Sequence, residues 1–104
     1  MGTVLLRQAT PAANTETALY TVTTAKQGIV DINACNKGAT ASAIRIVVIS
    51  GATRTYLEYG LSLTAAGTEA STLERAGRKY PAGTQIAVWA DSANVDFTAE
   101  AVEE

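Results

Sequence analysis

Few residues of this 104-residue chain are able to perform covalent chemistry. Cys35 is the only thiol, and the chain contains no histidine. A nucleophilic cysteine needs a neighbouring base that generates the thiolate, and histidine usually supplies it. These counts exclude histidine-dependent mechanisms, a cysteine-rich zinc site and an internal disulfide. Cys35 is therefore interpreted as a small strand residue rather than as a nucleophile.

Acidic residues offer two further kinds of chemistry. Asp31, Asp91 and Asp96 are conceivable calcium ligands, but the sequence lacks the dense Asp/Asn loop with a glycine that calcium loops use. Two carboxylates can hydrolyse a glycosidic bond, but a small domain with one Trp, four Tyr and one Phe has few rings for a sugar platform. We therefore expect no enzyme activity, no metal and no cofactor.

The charge balance restricts the partners. Eight basic and ten acidic residues give a net charge of −2, whereas nucleic-acid binders need a basic footprint. No apolar run approaches the roughly 20 residues of a membrane-spanning helix, and the first residues lack the basic and apolar segments of a secretory signal. We expect no nucleic acid, no membrane and no small-molecule substrate as a partner.

The distribution of basic residues indicates contacts with protein. Arg75, Arg78 and Lys79 form the one basic cluster, within and beside a Gly/Pro turn region predicted at residues 76–83. This turn either meets an acidic surface of a neighbouring subunit or of another protein, or is simply solvated. Arg45 lies on a mostly apolar strand, where it either extends into solvent or pairs across a subunit contact.

Residues 1–14 are interpreted as an N-terminal arm or as a first strand. Apolar Leu5 and Leu6, followed by Arg7, are separated from the remaining chain by a polar, proline-containing loop. Such an arm can add a strand to the edge of a neighbour's sheet through backbone hydrogen bonds. The remaining residues, 15–104, are predicted to form a single domain.

Short apolar or threonine-rich runs separated by Gly, Pro, Asn or Asp must position all these side chains. Val30, Ile32 and Ala34 share one face of the clearest run, as the two-residue period of a strand requires. The predicted strands are residues 3–7, 18–23, 28–36, 42–50, 55–59, 69–75, 84–90 and 94–102. They predict an all-β fold, a two-sheet antiparallel β-sandwich of about eight short strands, with jelly-roll or immunoglobulin-like connections. A helical turn at residues 65–70 is the main competing prediction. Turns are also predicted at residues 24–26 and 36–40, where Lys37-Gly38 offers the positive φ of a tight hairpin. Glu103 and Glu104 are predicted to form a charged tail.

The core is predicted to be thin. Val, Ile, Leu and Phe together account for 22 residues, about a fifth of the chain, while 20 alanines and 15 threonines dominate the composition. A thin core is often supplemented by burial between subunits, so we expect part of the stability to come from neighbouring chains.

The order of residues resembles that of small tailed-phage virion proteins. These carry a Leu-Tyr-x-Val strand, a Gly/Lys turn, a strand ending in Cys-Asn, an Arg-Ile/Val strand and a Tyr-Pro-Ala-Gly turn before another strand. The matching positions are residues 19–22, Lys26, residues 30–36, 44–46 and 80–86. The resemblance spans roughly residues 18–100, and its motifs mark a fold rather than a chemistry.

The resemblance implies a non-enzymatic virion protein, assembled in the host cytoplasm and trimeric by analogy. A capsid cement or decoration protein that binds the major capsid protein across subunit junctions is the first expectation. A tail, baseplate or fibre-associated domain is the alternative, and a small carbohydrate-binding module with Trp89, Tyr56, Tyr59 or Tyr80 as its platform is the third. The expected contact residues are Leu5, Leu6, Arg7, Arg45, Arg75, Arg78, Lys79 and Tyr80.

Overall fold

A computed structural model describes residues 3–23 and 27–104 of the chain. The start of the predicted arm, residues 1–2, and the predicted turn at residues 24–26, with Lys26, lie outside the described residues. Eight strands follow one another: β1 (Thr3–Ala9), β2 (Thr17–Thr21), β3 (Gln27–Asn36), β4 (Ser42–Ser50), β5 (Thr53–Leu63), β6 (Thr72–Pro81), β7 (Gln85–Ala90) and β8 (Val95–Glu103).

The strands form two antiparallel four-stranded sheets, ordered β1-β8-β3-β6 and β2-β7-β4-β5. The first strand pairs with the last, the second with the seventh, the third with the sixth and the fourth with the fifth. This pattern is that of one long hairpin rolled into two sheets, which is the jelly-roll arrangement. The predicted all-β, two-sheet antiparallel sandwich is confirmed, and of its two candidate topologies the strand order is that of the jelly roll.

The core lies between the sheets and follows the predicted two-residue alternation. Val30, Ile32 and Ala34 of β3 point inward, as predicted. On β8 the inward residues Val95, Phe97, Ala99 and Ala101 are fully buried, and they pack with buried residues of the opposite sheet. Segment Thr3–Ala9 pairs along its whole length with β8 of the same chain.

Strands β5 and β6 extend furthest beyond their predicted bounds, and the helical alternative is wrong. β5 was expected at residues 55–59 but covers Thr53–Leu63, and residues 65–70 form turns rather than a helical turn. β6 was expected to end at residue 75, yet it continues to Pro81. Gly77 explains the error, because it occupies a β-bulge with a positive φ of 73° instead of a turn. Its amide donates to Asp31 Oδ1 at 2.7 Å, which satisfies the bulged backbone.

Glu103 corrects a further expectation. Residues 103–104 were predicted to be a charged tail, but Glu103 ends β8 with 4% exposure. Its carboxylate accepts hydrogen bonds from the Tyr20 hydroxyl and from the Thr23 amide, the latter at 3.0 Å. The inward alternation of β8 therefore continues to its last residue, with a carboxylate in the final inward position.

The β3–β4 connection is a turn, as predicted, but its glycine has a different role. Gly38 was expected to supply a positive φ, and it does not adopt one. A Cβ at this position would instead lie 2.8 Å from Asn94 Nδ2 and 3.2 Å from Asn36 Oδ1. Gly38 is therefore required by the close approach of these side chains rather than by backbone conformation.

Candidate functional site: an aromatic face

One outer surface of the sandwich concentrates aromatic and basic side chains. It belongs to sheet β2-β7-β4-β5 and is called the aromatic face here; its members are Arg45, Arg54, Tyr56, Tyr59 and Trp89. Strand β4 lies between β5 and β7, and in this register Arg45 is directly opposite both Tyr59 and Trp89. The three side chains therefore stand in a row across three strands.

The guanidinium of Arg45 lies against both neighbouring rings. Its Cζ is 4.1 Å from the centroid of the Trp89 ring and 4.4 Å from that of Tyr59. Both distances lie well inside the range of cation–π interactions, and Arg and Trp are the preferred members of such pairs. The cross-strand contacts hold the long arginine side chain over the sheet instead of leaving it free in solvent.

A β-bulge brings a second tyrosine onto the same face. Tyr56 and Tyr59 are three residues apart, which would place them on opposite faces of a regular strand. The three residues of β4 from Arg45 to Val47 are however matched by four residues of β5, from Tyr59 to Tyr56. The extra residue restores the alternation, so both tyrosines point outward.

The two tyrosines extend the row toward a second arginine. Their rings meet edge to face, with centroids 4.8 Å apart and an interplanar angle of 87°, a favoured arrangement for aromatic pairs. Arg54 Cζ lies 5.9 Å from the Tyr56 centroid, and its guanidinium forms an ion pair with Glu16. Tyr56 and then Glu16 raise the pKa of Arg54, which keeps this side chain charged.

The face is accessible at the tyrosines and closed beneath them. Tyr59 is 64% exposed and Tyr56 39% exposed, two of the four large apolar or aromatic side chains that are exposed among the described residues. Val47 also faces outward from β4, opposite Tyr56 and Ala87, yet it is fully buried. The aromatic face therefore combines a buried apolar floor with exposed rings.

The predicted contact residues do not form one surface. Leu5 is half-buried and packs against the core, whereas Leu6 is 56% exposed on the outer face of the opposite sheet. Exposed Arg7 lies on the same edge strand and donates to the Leu6 carbonyl. Of the eight residues, Arg45 alone belongs to the aromatic face.

The three residues of the predicted basic cluster lie on strand β6, and they do not form one basic surface. Arg75 forms an ion pair with Glu58 of β5, across the open edge between the two sheets. Arg78 is opposite inward-facing Val30 and Lys79 is opposite outward-facing Ile29, so the two point to different sides. Tyr80 is half-buried and packs against the core. The three basic residues therefore lie on strand β6 rather than in a turn, and their side chains do not point to one side.

Asp31, Asp91 and Asp96, the conceivable calcium ligands, each bind neighbouring groups and do not form a common site. Asp91 Oδ1 accepts from Ser42 Oγ at 2.7 Å and from the Ala43 amide at 3.1 Å. Asp96 accepts from Thr10 and forms an ion pair with Lys37, and these two partners lower the pKa of Asp96. Within residues 3–23 and 27–104 no group of three His, Cys, Asp or Glu side chains is placed to hold a metal ion.

An apolar hollow lies at one end of the sandwich, between the β3–β4 and β5–β6 connections. Its volume is about 890 Å³, and it is lined by Ala39, Thr40, Ala41, Thr64, Ala65, Thr68, Glu69 and Ala70. Asn36 supports both walls, because its Nδ2 donates to the carbonyls of Thr40 and Thr64 at 2.9 and 3.0 Å. Glu69 is the one ionisable residue in its lining.

Sequence reasoning identified Arg45 but missed its surroundings. Trp89, Tyr56 and Tyr59 were considered only as a sugar platform, and Arg54 was not considered. The structure brings these residues together, but Tyr56 stands perpendicular to Tyr59, and Arg45 lies against both the Trp89 and Tyr59 rings. The two tyrosine rings are therefore not coplanar.

The chain has no match among protein-family models, curated proteins or solved structures. In the described part of the chain, no helix has the length and apolar character needed to cross a membrane. The class that the fold and the site define is thus a jelly-roll sandwich that displays aromatic and arginine side chains on one sheet.

Proposed function

We propose that this chain is a non-enzymatic structural protein of a phage virion, a capsid decoration protein that attaches to the head through its aromatic face. The observation that carries the proposal is the row of Trp89, Arg45 and Tyr59 on one outer sheet face. Jelly rolls recur in viral capsid proteins, and the residue order resembles that of small phage virion proteins.

The composition of the aromatic face suits protein binding. Trp, Tyr and Arg are the residue types that dominate the energetic centres of protein interfaces. Their side chains are already held by cross-strand contacts, so they lose less conformational freedom when a partner binds. The apolar floor at Val47 limits the water left beneath them.

Decoration requires collective binding, because one sheet face of a small domain is a modest interface. Several copies joined in an oligomer, a trimer by analogy, would engage several capsid subunits at once. Tethering then raises the overall affinity well above that of a single contact. In this proposal the protein stabilises the head by linking major capsid subunits across their junctions.

Co-sedimentation with capsids tests the proposal. Capsids of the encoding phage, assembled without this chain, are mixed with purified protein. We expect saturable binding, with affinity lowered roughly tenfold or more by Arg45→Met or Tyr59→Ser, the loss typical of an interface centre. Arg78→Met and Leu6→Ser are matched controls, because they remove an exposed charge and an exposed apolar side chain elsewhere. Absence of binding, or equal loss in the controls, would contradict the proposal.

Electron microscopy distinguishes decoration of the head from the alternative, attachment to the phage tail. Gold-labelled protein on the facets of the head supports decoration. Label confined to the tail, baseplate or fibres would replace decoration by a tail-associated role.

A further inference from the structure

Arg45 differs from Arg54 and Arg75, two other arginines on the strands that flank or face it. Arg54 and Arg75 each form an ion pair with a glutamate. Among residues 3–23 and 27–104, Arg45 makes no ion pair and no hydrogen bond, and its Nε is buried without an acceptor. The fold therefore holds a cation between two rings and supplies no anion for it.

We propose that the aromatic face binds an acidic segment of a partner protein, with a carboxylate docked on the two Nη atoms of Arg45. The inference rests on the proposed function, since decoration requires a protein partner, and it names the chemistry of that partner. Tyr59 and Trp89 would flank the bound carboxylate.

The geometry of Arg45 favours a carboxylate. A guanidinium presents paired N–H groups that match the two carboxylate oxygens, and such charge-assisted pairs are stronger than neutral hydrogen bonds. Nε is covered, so the terminal Nη atoms are the donors that a ligand can reach. The rings on both sides replace part of the water around the cation, which strengthens its attraction for an anion.

The exposed rings favour a protein over a saccharide. Sugars stack on open ring faces, whereas Arg45 lies against the Trp89 and Tyr59 rings and Tyr56 is turned 87° from Tyr59. An acidic peptide uses the same features differently. Its carboxylate meets the guanidinium, while its backbone and apolar side chains pack on exposed Tyr59.

A titration of the full-length, isotope-labelled chain followed by NMR tests the inference. The probe is a hexa-aspartate peptide, and hexa-asparagine is the neutral control. The Nε–H signal of Arg45 and the indole N–H signal of Trp89, the one tryptophan of the chain, report directly on the face. We expect saturable shifts of both signals with hexa-aspartate and none with hexa-asparagine.

Three variants separate specific docking from general attraction between charges. Arg45→Met should lower the affinity for hexa-aspartate roughly tenfold or more. Arg45→Lys keeps the charge but loses the fork, so it should weaken binding several-fold while preserving the fold. Arg78→Met, on the opposite sheet, should bind as the parent does. Amide spectra of each variant establish that it is folded.

Four results would overturn the inference: no binding of hexa-aspartate, equal affinity in Arg45→Met, stronger shifts with a neutral hexasaccharide, or self-association that Arg45→Met abolishes. The last would assign the face to a second copy of the chain. If capsids are decorated while hexa-aspartate fails to bind, the inference falls and the proposed function stands. If hexa-aspartate binds while capsids do not, the proposed function falls alone.

Discussion

The hydroxyl of Tyr20 donates a hydrogen bond to the carboxylate of Glu103, and this contact joins the two sheets across 83 residues of sequence. Both residues are buried, Tyr20 on β2 and Glu103 at the end of β8. The Thr23 amide donates to the same carboxylate at 3.0 Å. A buried carboxylate is costly unless it is hydrogen-bonded, so this contact fixes the end of the sandwich where β2 leaves the sheet.

Removal of the Tyr20 hydroxyl should destabilise the fold at neutral pH. Tyr20→Phe leaves the ring in place but removes one donor from the buried carboxylate of Glu103. We expect the free energy of unfolding to fall by about 1–3 kcal/mol, the cost of leaving a buried polar group less satisfied. Urea denaturation measures the loss. Tyr59→Phe removes an exposed hydroxyl and should change the stability by less than about 0.5 kcal/mol.

The same pair predicts a loss of stability at alkaline pH. Burial, followed by the Glu103 carboxylate, raises the pKa of Tyr20 far above its usual value of 10.0. The unfolded chain loses this proton above pH 10 while the folded chain keeps it, so this contribution is complete below pH 10 and declines as the pH rises. We expect a decline of up to about 1.4 kcal/mol per pH unit from this group.

Denaturation of the parent and of Tyr20→Phe between about pH 9 and pH 12 measures this effect as a difference in slope. Burial also raises the pKa of Tyr80, but Tyr80 contributes equally to both proteins and cancels. Parallel slopes for the two proteins would contradict the assignment.

A second polar anchor lies at the opposite end of the sandwich. The buried Asn36 amide donates to the carbonyls of Thr40, Leu63 and Thr64, and its Oδ1 accepts from the Gly38 amide at 2.9 Å. Asn36→Asp is nearly isosteric but places a carboxylate oxygen against these carbonyls. We expect a loss of about 3 kcal/mol or more in chemical denaturation. Asn94→Asp alters an exposed asparagine and serves as the control; equal losses would argue against the Asn36 network.

Arg45 should contribute little to folding although it is held firmly. Its cation–π contacts are favourable by about 1 kcal/mol, but its buried Nε has no acceptor, and the two effects oppose each other. We expect Arg45→Met to change the free energy of unfolding by less than about 1 kcal/mol. The fluorescence of Trp89 should nevertheless change, because the ring loses its cationic neighbour. A large loss of stability would indicate a structural role for Arg45.

The fold could be read from the sequence where alternation alone decides it. Phe97, Ala99 and Ala101 repeat every second residue, so the inward face of β8 was predictable. Glu103 continues this period, but its charge is typical of a solvated tail, and only the distant Tyr20 makes its burial tolerable. Gly77 was likewise predicted to lie in a turn, because glycine and proline in one short segment are typical of turns. The bulge that it occupies exists only when β6 pairs with β3, so the local sequence does not show it.

The aromatic face depends on register, which local pattern does not encode. Tyr56 and Tyr59 have the spacing of opposite strand faces, and a bulge opposite Ile46 and Val47 reverses this. The contact of Arg45 with Trp89 joins residues from strands that are distant in sequence. The aromatic face could therefore be predicted only if the pairing of β4 with β5 and β7 were already known.

Gly38 and Gly77 should respond differently to the same substitution. Gly38→Ala places a methyl group 2.8 Å from Asn94 Nδ2 and 3.0 Å from its Cβ, with no unfavourable φ. We expect the free energy of unfolding to fall by about 1–3 kcal/mol from overpacking.

At Gly77 the space is open and only the positive φ opposes a side chain, so Gly77→Ala should lower the free energy of unfolding by about 1 kcal/mol. Combination with Asn94→Gly separates the causes, since it should recover most of the loss at Gly38 and none at Gly77, measured as coupling in a double-mutant cycle. Equal coupling at the two glycines would show that steric contact with Asn94 does not determine the residue at position 38.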